Sequence, residues 1–134
     1  MDLLASAAPN AAPVVNASVN ACMNVGVEAH VRLQIERLRV GDYAGAYSLN
    51  SADNQARLGD VATFEGIVKG NASFAALADS ANACECLVSE GGGMSERRSV
   101  AVRVRSTRGE VLTFEFDVSV SDQGLATNGV RIAC

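Results

Sequence analysis

With 134 residues, 49% of them hydrophobic and 19% charged, the chain is long enough for one ordinary domain that buries a core without disulfides or metal. Its 15 acidic side chains outnumber the 11 basic ones and no basic cluster exceeds Arg97-Arg98, so a nucleic-acid surface, which needs grouped Lys and Arg, is not expected. No apolar run approaches the roughly 18 to 20 residues that cross a bilayer, and a soluble globular domain is the expectation.

Residues 1–26 are mostly Ala, Asn, Val, Ser and Pro, and no Lys or Arg precedes Arg32. A signal peptide needs a basic start and a continuous apolar core, and an organellar transit peptide is Arg-rich; neither pattern is present. Small residues such as Ala7 and Ala8, with Pro9 and Pro13, predict an extended segment, because they bury too little surface to offset ordering entropy. Its apolar side chains, Leu3, Leu4, Val14, Val15, Val19 and Met23, are candidate anchors of a docking arm laid along another surface.

A single domain is expected over 27–134. Over 27–40, Val27, Val31, Ile35 and Leu38 recur at helical spacing, with His30, Arg32, Glu36, Arg37 and Arg39 on the other face, which predicts an amphipathic helix and a solvated His30. Gly41 ends it. Asp42 suits the N-cap of a short second helix over 43–49, in which Tyr43 and Tyr47 stack four residues apart. Residues 51–59 are polar and turn-rich, with at most one helical turn. Asp60 then caps a third helix in which Val61, Phe64, Ile67 and Val68 share a face, closed by Gly70. An irregular connection through Phe74 and Leu77 follows.

Beyond residue 82 the hydrophobic period falls from near 3.6 to 2. A first strand is expected over 83–89, with Gly91-Gly92-Gly93 as the link to a second. Over 99–105, Val100, Val102 and Val104 alternate with Ala101, Arg103 and Arg105, which is strand periodicity. The clearest strand is 111–120, where Leu112, Phe114, Phe116, Val118 and Val120 oppose Thr113, Glu115, Asp117 and Ser119. A turn at Asp122-Gln123-Gly124 leads to a weaker strand over 125–132. Helices first and an antiparallel meander afterwards describe an α+β domain, with helices packed on one face of the sheet.

Several of these runs together resemble a known family. They are Leu38-Arg39-Val40-Gly41-Asp42-Tyr43-Ala44-Gly45-Ala46-Tyr47, Ser51-Ala52-Asp53-Asn54-Gln55-Ala56-Arg57 and Phe64-Glu65-Gly66-Ile67-Val68-Lys69, with Arg103-Val104-Arg105, Gly109, Phe114-Glu115-Phe116 and Asn128-Gly129-Val130 later. In this order they resemble a domain-of-unknown-function family with bacterial and plant and algal plastid members, similar to the cystatin-like, nuclear-transport-factor-2-like superfamily. The resemblance covers residues 27–132. It implies a cone of helices against a strongly curved sheet, often dimeric through that sheet, and a plastid or bacterial setting. The sequence departs from the pattern at Leu125-Ala126-Thr127, where the family tends to carry a bulky aromatic, so the floor of any pocket is expected to differ.

Enzymes of that shape, such as ketosteroid isomerase and polyketide cyclases, need a carboxylate or His in an apolar cavity and a donor for an oxyanion. The inward strand positions here, Val100 to Val104 and Leu112 to Val120 at alternate residues, can neither take nor give a proton. Asp42, Tyr43, Tyr47 and Asp53 are better read as a cap, two packing residues and a turn residue, and no catalytic residue is assigned. The expected lining of a pocket is Tyr43, Tyr47, Val102, Val104, Phe114, Phe116 and Val118.

Four cysteines, Cys22, Cys84, Cys86 and Cys134, raise the question of disulfides or zinc. Cys84 and Cys86 lie two apart on a strand, where a mutual disulfide is strained, and no second Cys or His pair completes a zinc site. Free thiols are expected, with a bridge from Cys22 or Cys134 to the strand pair as the alternative. Glycosylation tripeptides begin at Asn16 and Asn71, and Gly91 to Gly93 lacks the Lys-Ser or Lys-Thr of a phosphate loop. No cofactor or metal is implied. Two functions fit: a non-catalytic binding or assembly module, an accessory subunit that docks onto a protein partner of a larger complex or onto a second copy, or a pocket for a small apolar ligand, as a carrier or as a polyketide-cyclase- or isomerase-like enzyme. A ligand site needs a few polar groups converging on an open cavity, which is the feature that separates them.

Overall fold

The computed structural model describes residues 15–88, 97–121 and 123–133, with side chains from Gly26 onward. Five helices precede four strands: α1 (Val15–Arg39), α2 (Tyr43–Ser48), α3 (Ala52–Leu58), α4 (Val61–Gly70), α5 (Ala72–Ala78), then β1 (Ala83–Val88), β2 (Arg97–Arg105), β3 (Val111–Ser121) and β4 (Gly124–Ile132). The strands form one antiparallel meander in the order β1-β2-β3-β4, curved and unclosed. The fold is α+β with the helices on one face of the sheet, as the change of period implies.

Register follows from alternation. Val102 sits between Cys86 and Phe114, and Val100 faces Phe116, so one face of the sheet is a continuous apolar surface. It meets Val27, Val31, Ile35 and Leu38 of α1, and all of these are buried in one cluster. The opposite face is polar, with ion pairs joining Arg97 to Asp117, Arg131 to Glu115 and Arg103 to Glu85. Between β3 and β4 the register slips at Asp117/Val118: Asp117 pairs with Gly129 and Val118 with Thr127, leaving Asn128 as the extra residue of a bulge.

Caps set the helix starts. Asp42 accepts from the Gly45 amide at 2.9 Å, and a Cβ on Gly45 would stand 2.3 Å from that carboxylate. Ser51, Asp60 and Asn71 cap the next three helices in the same way. Gly41, at a φ of 80°, ends α1 in a conformation that L side chains avoid, behind Arg37 and Arg39, which suit the negative end of the helix dipole.

Four expectations change. Helix α1 begins at Val15, so residues 15–26 are helical rather than extended, and Val15, Val19 and Met23 belong to that helix. Propensity explains the difference, since Ala and the first apolar turn extend a helix that packing has already nucleated. Leu3, Leu4 and Val14 lie outside the described residues, as does Gly91 to Gly93. Residues 52–58 make a full helix, and 72–78, expected as an irregular connection, form α5 once Asn71 accepts from the amides of Ser73 and Phe74. β2 starts at Arg97, two residues early, with Arg98 turned inward and 5% exposed.

Candidate functional site

Under α1, a polar cluster interrupts the apolar core. α1 contributes His30 and Gln34, the α2–α3 connection contributes Asn50, α3 contributes Asn54 and β4 contributes Thr127, and all five are buried. Backbone pairing brings them together. Asn50 and Thr127 form a parallel bridge, in which the Ser51 amide donates to the Thr127 carbonyl at 2.8 Å and the Thr127 amide to the Leu49 carbonyl at 2.9 Å.

The orientation of every amide in the cluster follows from one carbonyl. The Ala46 carbonyl can only accept, so the group 2.9 Å from it must be Nε2 of Gln34. That same nitrogen lies 2.9 Å from Asn50, which must therefore present Oδ1; Asn54 Nδ2 donates to the same oxygen at 3.1 Å. Gln34 Oε1 then faces Thr127, whose hydroxyl donates to it at 2.6 Å. With its proton committed, the Thr127 oxygen accepts from His30 Nε2 at 3.0 Å, which puts the imidazole proton on Nε2. One atom is left over: Asn50 Nδ2 is buried and has no partner among the described residues. A buried donor left unpaired costs about 1 to 3 kcal/mol.

Asn50 opens onto a cavity of about 300 Å3. Its polar wall is Gln34, Asn50, Asn54 and Arg57. These four are contiguous, because Arg57 Nη2 donates to Asn54 Oδ1 at 3.2 Å and onward to the Asn128 carbonyl at 2.5 Å. The rest of the lining is apolar: Leu38 from α1, Leu58 from α3, Phe64, Ile67 and Val68 from α4, Phe74 and Leu77 from α5, and Phe116 and Val130 from the sheet. Among the described residues, Arg57 is the one charged residue in the lining, and it is exposed. The bulge at Asn128 turns that carbonyl toward Arg57 and so fixes the guanidinium at the polar end.

Of the seven residues expected to line a pocket, Phe116 lines this cavity. Val102, Phe114 and Val118 are closed into the core at 0% exposure. Val104 is as buried and borders a smaller depression of about 150 Å3 beside Cys84 and Arg103. Tyr43 and Tyr47 pack their rings on Phe64, with centroids 6.5 and 5.7 Å apart, and the Tyr47 hydroxyl donates to the carbonyls of Gln55 and Gly59. These rings back the cavity wall rather than form it.

His30 is a correction: expected in solvent, it is 8% exposed. It sits on the shoulder of the apolar stripe of α1, where a polar residue can enter the core if a strand offers a partner, and Thr127 does. Burial holds its pKa below the ordinary imidazole value, opposed in part by the Leu49 carbonyl. Gln34, Asn50, Asn54, Arg57 and Thr127 were not singled out as site residues by sequence reasoning. Their signal was an inward strand position occupied by Thr where its neighbours are apolar, and a Ser51-to-Arg57 run whose Asn54 falls on the inner side of a capped helix.

Cys84 and Cys86 are free thiols on the inner side of β1; the side chains of Cys22 and Cys134 lie outside the described residues. A hydrogen bond from Cys86 pulls the Cys84 thiol down to about 7, helped by the charges of Arg39 and Arg32, while the same bond and burial push Cys86 up. Asn71, the second glycosylation-type asparagine, spends its side-chain oxygen on the α5 cap. Compared with family models, curated proteins and solved structures, the chain matches none.

Proposed function

We propose that this domain is a receptor for a small, mainly apolar molecule held between its helices and the sheet. The observation that carries the reading is the cavity itself: about 300 Å3, apolar over most of its wall, with a hydrogen-bonded polar group at one end. That is the pattern of ligand sites, whereas a purely structural core fills such space with side chains. At about 30 Å3 for each water in the liquid, the space suits a ligand of about ten non-hydrogen atoms. The arrangement of helices over a curved sheet is the one that the proposed kinship with the nuclear-transport-factor-2-like superfamily implies.

The test is a titration of the full chain with 1-octanol, followed by thermal shift and NMR, beside the variant Val68→Phe, which fills the cavity from a buried wall position. Octanol is expected to raise the melting temperature of the parent protein and to leave the variant unmoved. Equal responses, or none, would remove the receptor reading. A second reading, the non-catalytic assembly module, draws on β1, which among the described residues is an edge strand with Leu87 48% exposed on the outer face. Such an edge can accept a partner strand, and a concentration-dependent mass in sedimentation, abolished by Leu87→Lys, would support it.

A further inference from the structure

Two thiols stand side by side on β1, which among the described residues is an edge strand. Cys84 and Cys86 lie on its inner side, Cys86 at 7% exposure and Cys84 half-buried, and the Cys86 thiol donates to the Cys84 sulfur. Strand geometry limits what such a pair can do. Their Cα atoms are about 6.5 Å apart, near the upper limit for a disulfide, and β1 cannot buckle to close the gap without losing the pairing of Cys84 with Val104 and of Cys86 with Val102. A hydrogen bond keeps two sulfurs well beyond the roughly 2.05 Å of an S–S bond. One metal atom with a thiolate on either side spans about 4.6 Å, at about 2.3 Å for each bond, so an inserted ion suits a spacing that a disulfide does not.

The second observation is charge. Arg39, in the last turn of α1, donates from Nε to the Leu77 carbonyl at 3.0 Å, and its Nη2 is buried with no partner among the described residues. The charges of Arg39 and Arg32 both reach the Cys84 sulfur, but Arg32 is already paired with Glu28 at 2.7 Å. The surroundings of the thiols therefore call for one negative charge. We propose that Cys84 and Cys86 bind a single copper(I) ion as a two-coordinate bis-thiolate, whose one negative charge Arg39 balances. Both thiols give their protons to solvent as the two copper–sulfur bonds form, and nothing is oxidised or reduced. Softness selects the ion, since thiolates favour copper(I) over hard cations. Structural zinc takes four ligands, and among the described residues no group of three His, Cys, Asp or Glu side chains is placed to hold a metal. Mercury(II) would form a neutral complex and leave Arg39 without a counter-charge.

The test titrates the reduced full chain with copper(I), free of oxygen, in excess glutathione as a competing monothiol. One ion per chain is expected, with two sulfur neighbours in X-ray absorption. Cys84→Ser and Cys86→Ala should each weaken binding about a hundredfold, because the chelate becomes a single thiolate, while Cys22→Ser and Cys134→Ser should leave it unchanged. Arg39→Gln should cost about tenfold, as the loss of an outer partner of metal ligands does. Circular dichroism of the copper-free variants checks that each is folded, and if Cys86→Ala is not, Cys84→Ser at its half-buried position decides. The proposal is overturned if glutathione strips the copper from the parent chain, if three or more sulfurs surround it, or if Cys84→Ser or Arg39→Gln binds as tightly as the parent.

Discussion

His30 Nε2 and Thr127 Oγ1, 97 residues apart in the chain, meet at 3.0 Å in the buried interior. The Thr127 hydroxyl stands between two polar side chains of α1, accepting from His30 and donating to Gln34. Thr127→Val keeps the shape and removes both bonds, leaving an imidazole N–H and an amide oxygen buried without partners. The expected cost is about 2 to 6 kcal/mol in urea denaturation, at about 1 to 3 for each stranded group. A loss near zero would show that water reaches the cluster.

The same histidine gives the fold a pH dependence. Its pKa lies below the ordinary 6.5 because burial disfavours the imidazolium. On acidification through 6.5 the unfolded chain therefore takes up a proton that the native state refuses, and stability falls as pH drops below that value. Above it, the histidine contributes no pH dependence. Melting temperatures should decline between pH 6.5 and 5 in the parent protein, and His30→Gln should flatten that part of the curve while leaving the slope between pH 8 and 7, where the Cys84 thiol titrates, as it was.

Phe114 and Phe116, neighbours on the inner side of β3, should respond differently to truncation. Both are essentially unexposed, but Phe114 is packed all round, with the Phe74 ring 5.8 Å away, whereas Phe116 borders the cavity. Phe114→Ala is expected to cost about 3 to 5 kcal/mol and Phe116→Ala less, since part of its surface already lacks neighbours. Phe116→Ala should also admit larger apolar probes. Equal costs for the two would mean that the cavity closes in solution.

Alkylation of Cys84 reports on the thiol pair. Held at about 7 by Cys86 and by Arg39 and Arg32, its reaction with iodoacetamide, followed by peptide mass mapping, should rise to half its plateau near pH 7. Cys86→Ala removes the largest of these influences and should move the midpoint toward the ordinary thiol value of 9.0. An unchanged midpoint would assign the activation to the arginines.

The strands were legible because a half-buried sheet writes itself as alternation: Val100, Val102 and Val104 point one way, and the ion-paired Arg97 and Arg103 the other. Capping was equally clear, with Asp42 and Asp60 found where side-chain oxygens were needed. What failed has a common cause. α5 is Ala-rich and too short to show a period, whereas in the first half of α1 Val15, Val19 and Met23 do continue the spacing of Val27 and Val31, a signal outweighed by the small and polar residues and the prolines around it. His30 and Gln34 are polar residues whose burial depends on Thr127, a partner nearly a hundred positions away, and no local pattern can report such a pairing. The cavity was hidden for the same reason. Its polar wall is assembled from Gln34 of α1, Asn50 of the α2–α3 connection, and Asn54 and Arg57 of α3, so it exists only after the tertiary fold does.

The parallel bridge between Asn50 and Thr127 also fixes an order of events during synthesis. A chain emerging from the ribosome has all five helices before any strand, and α1 alone then carries His30 and Gln34 without the hydroxyl that satisfies them. Non-local pairing of this kind closes slowly, because loop entropy opposes it until the contact is made. Until β4 is in place, His30 and the side-chain oxygen of Gln34 lack their Thr127 partner, so the polar cluster is completed by the last strand.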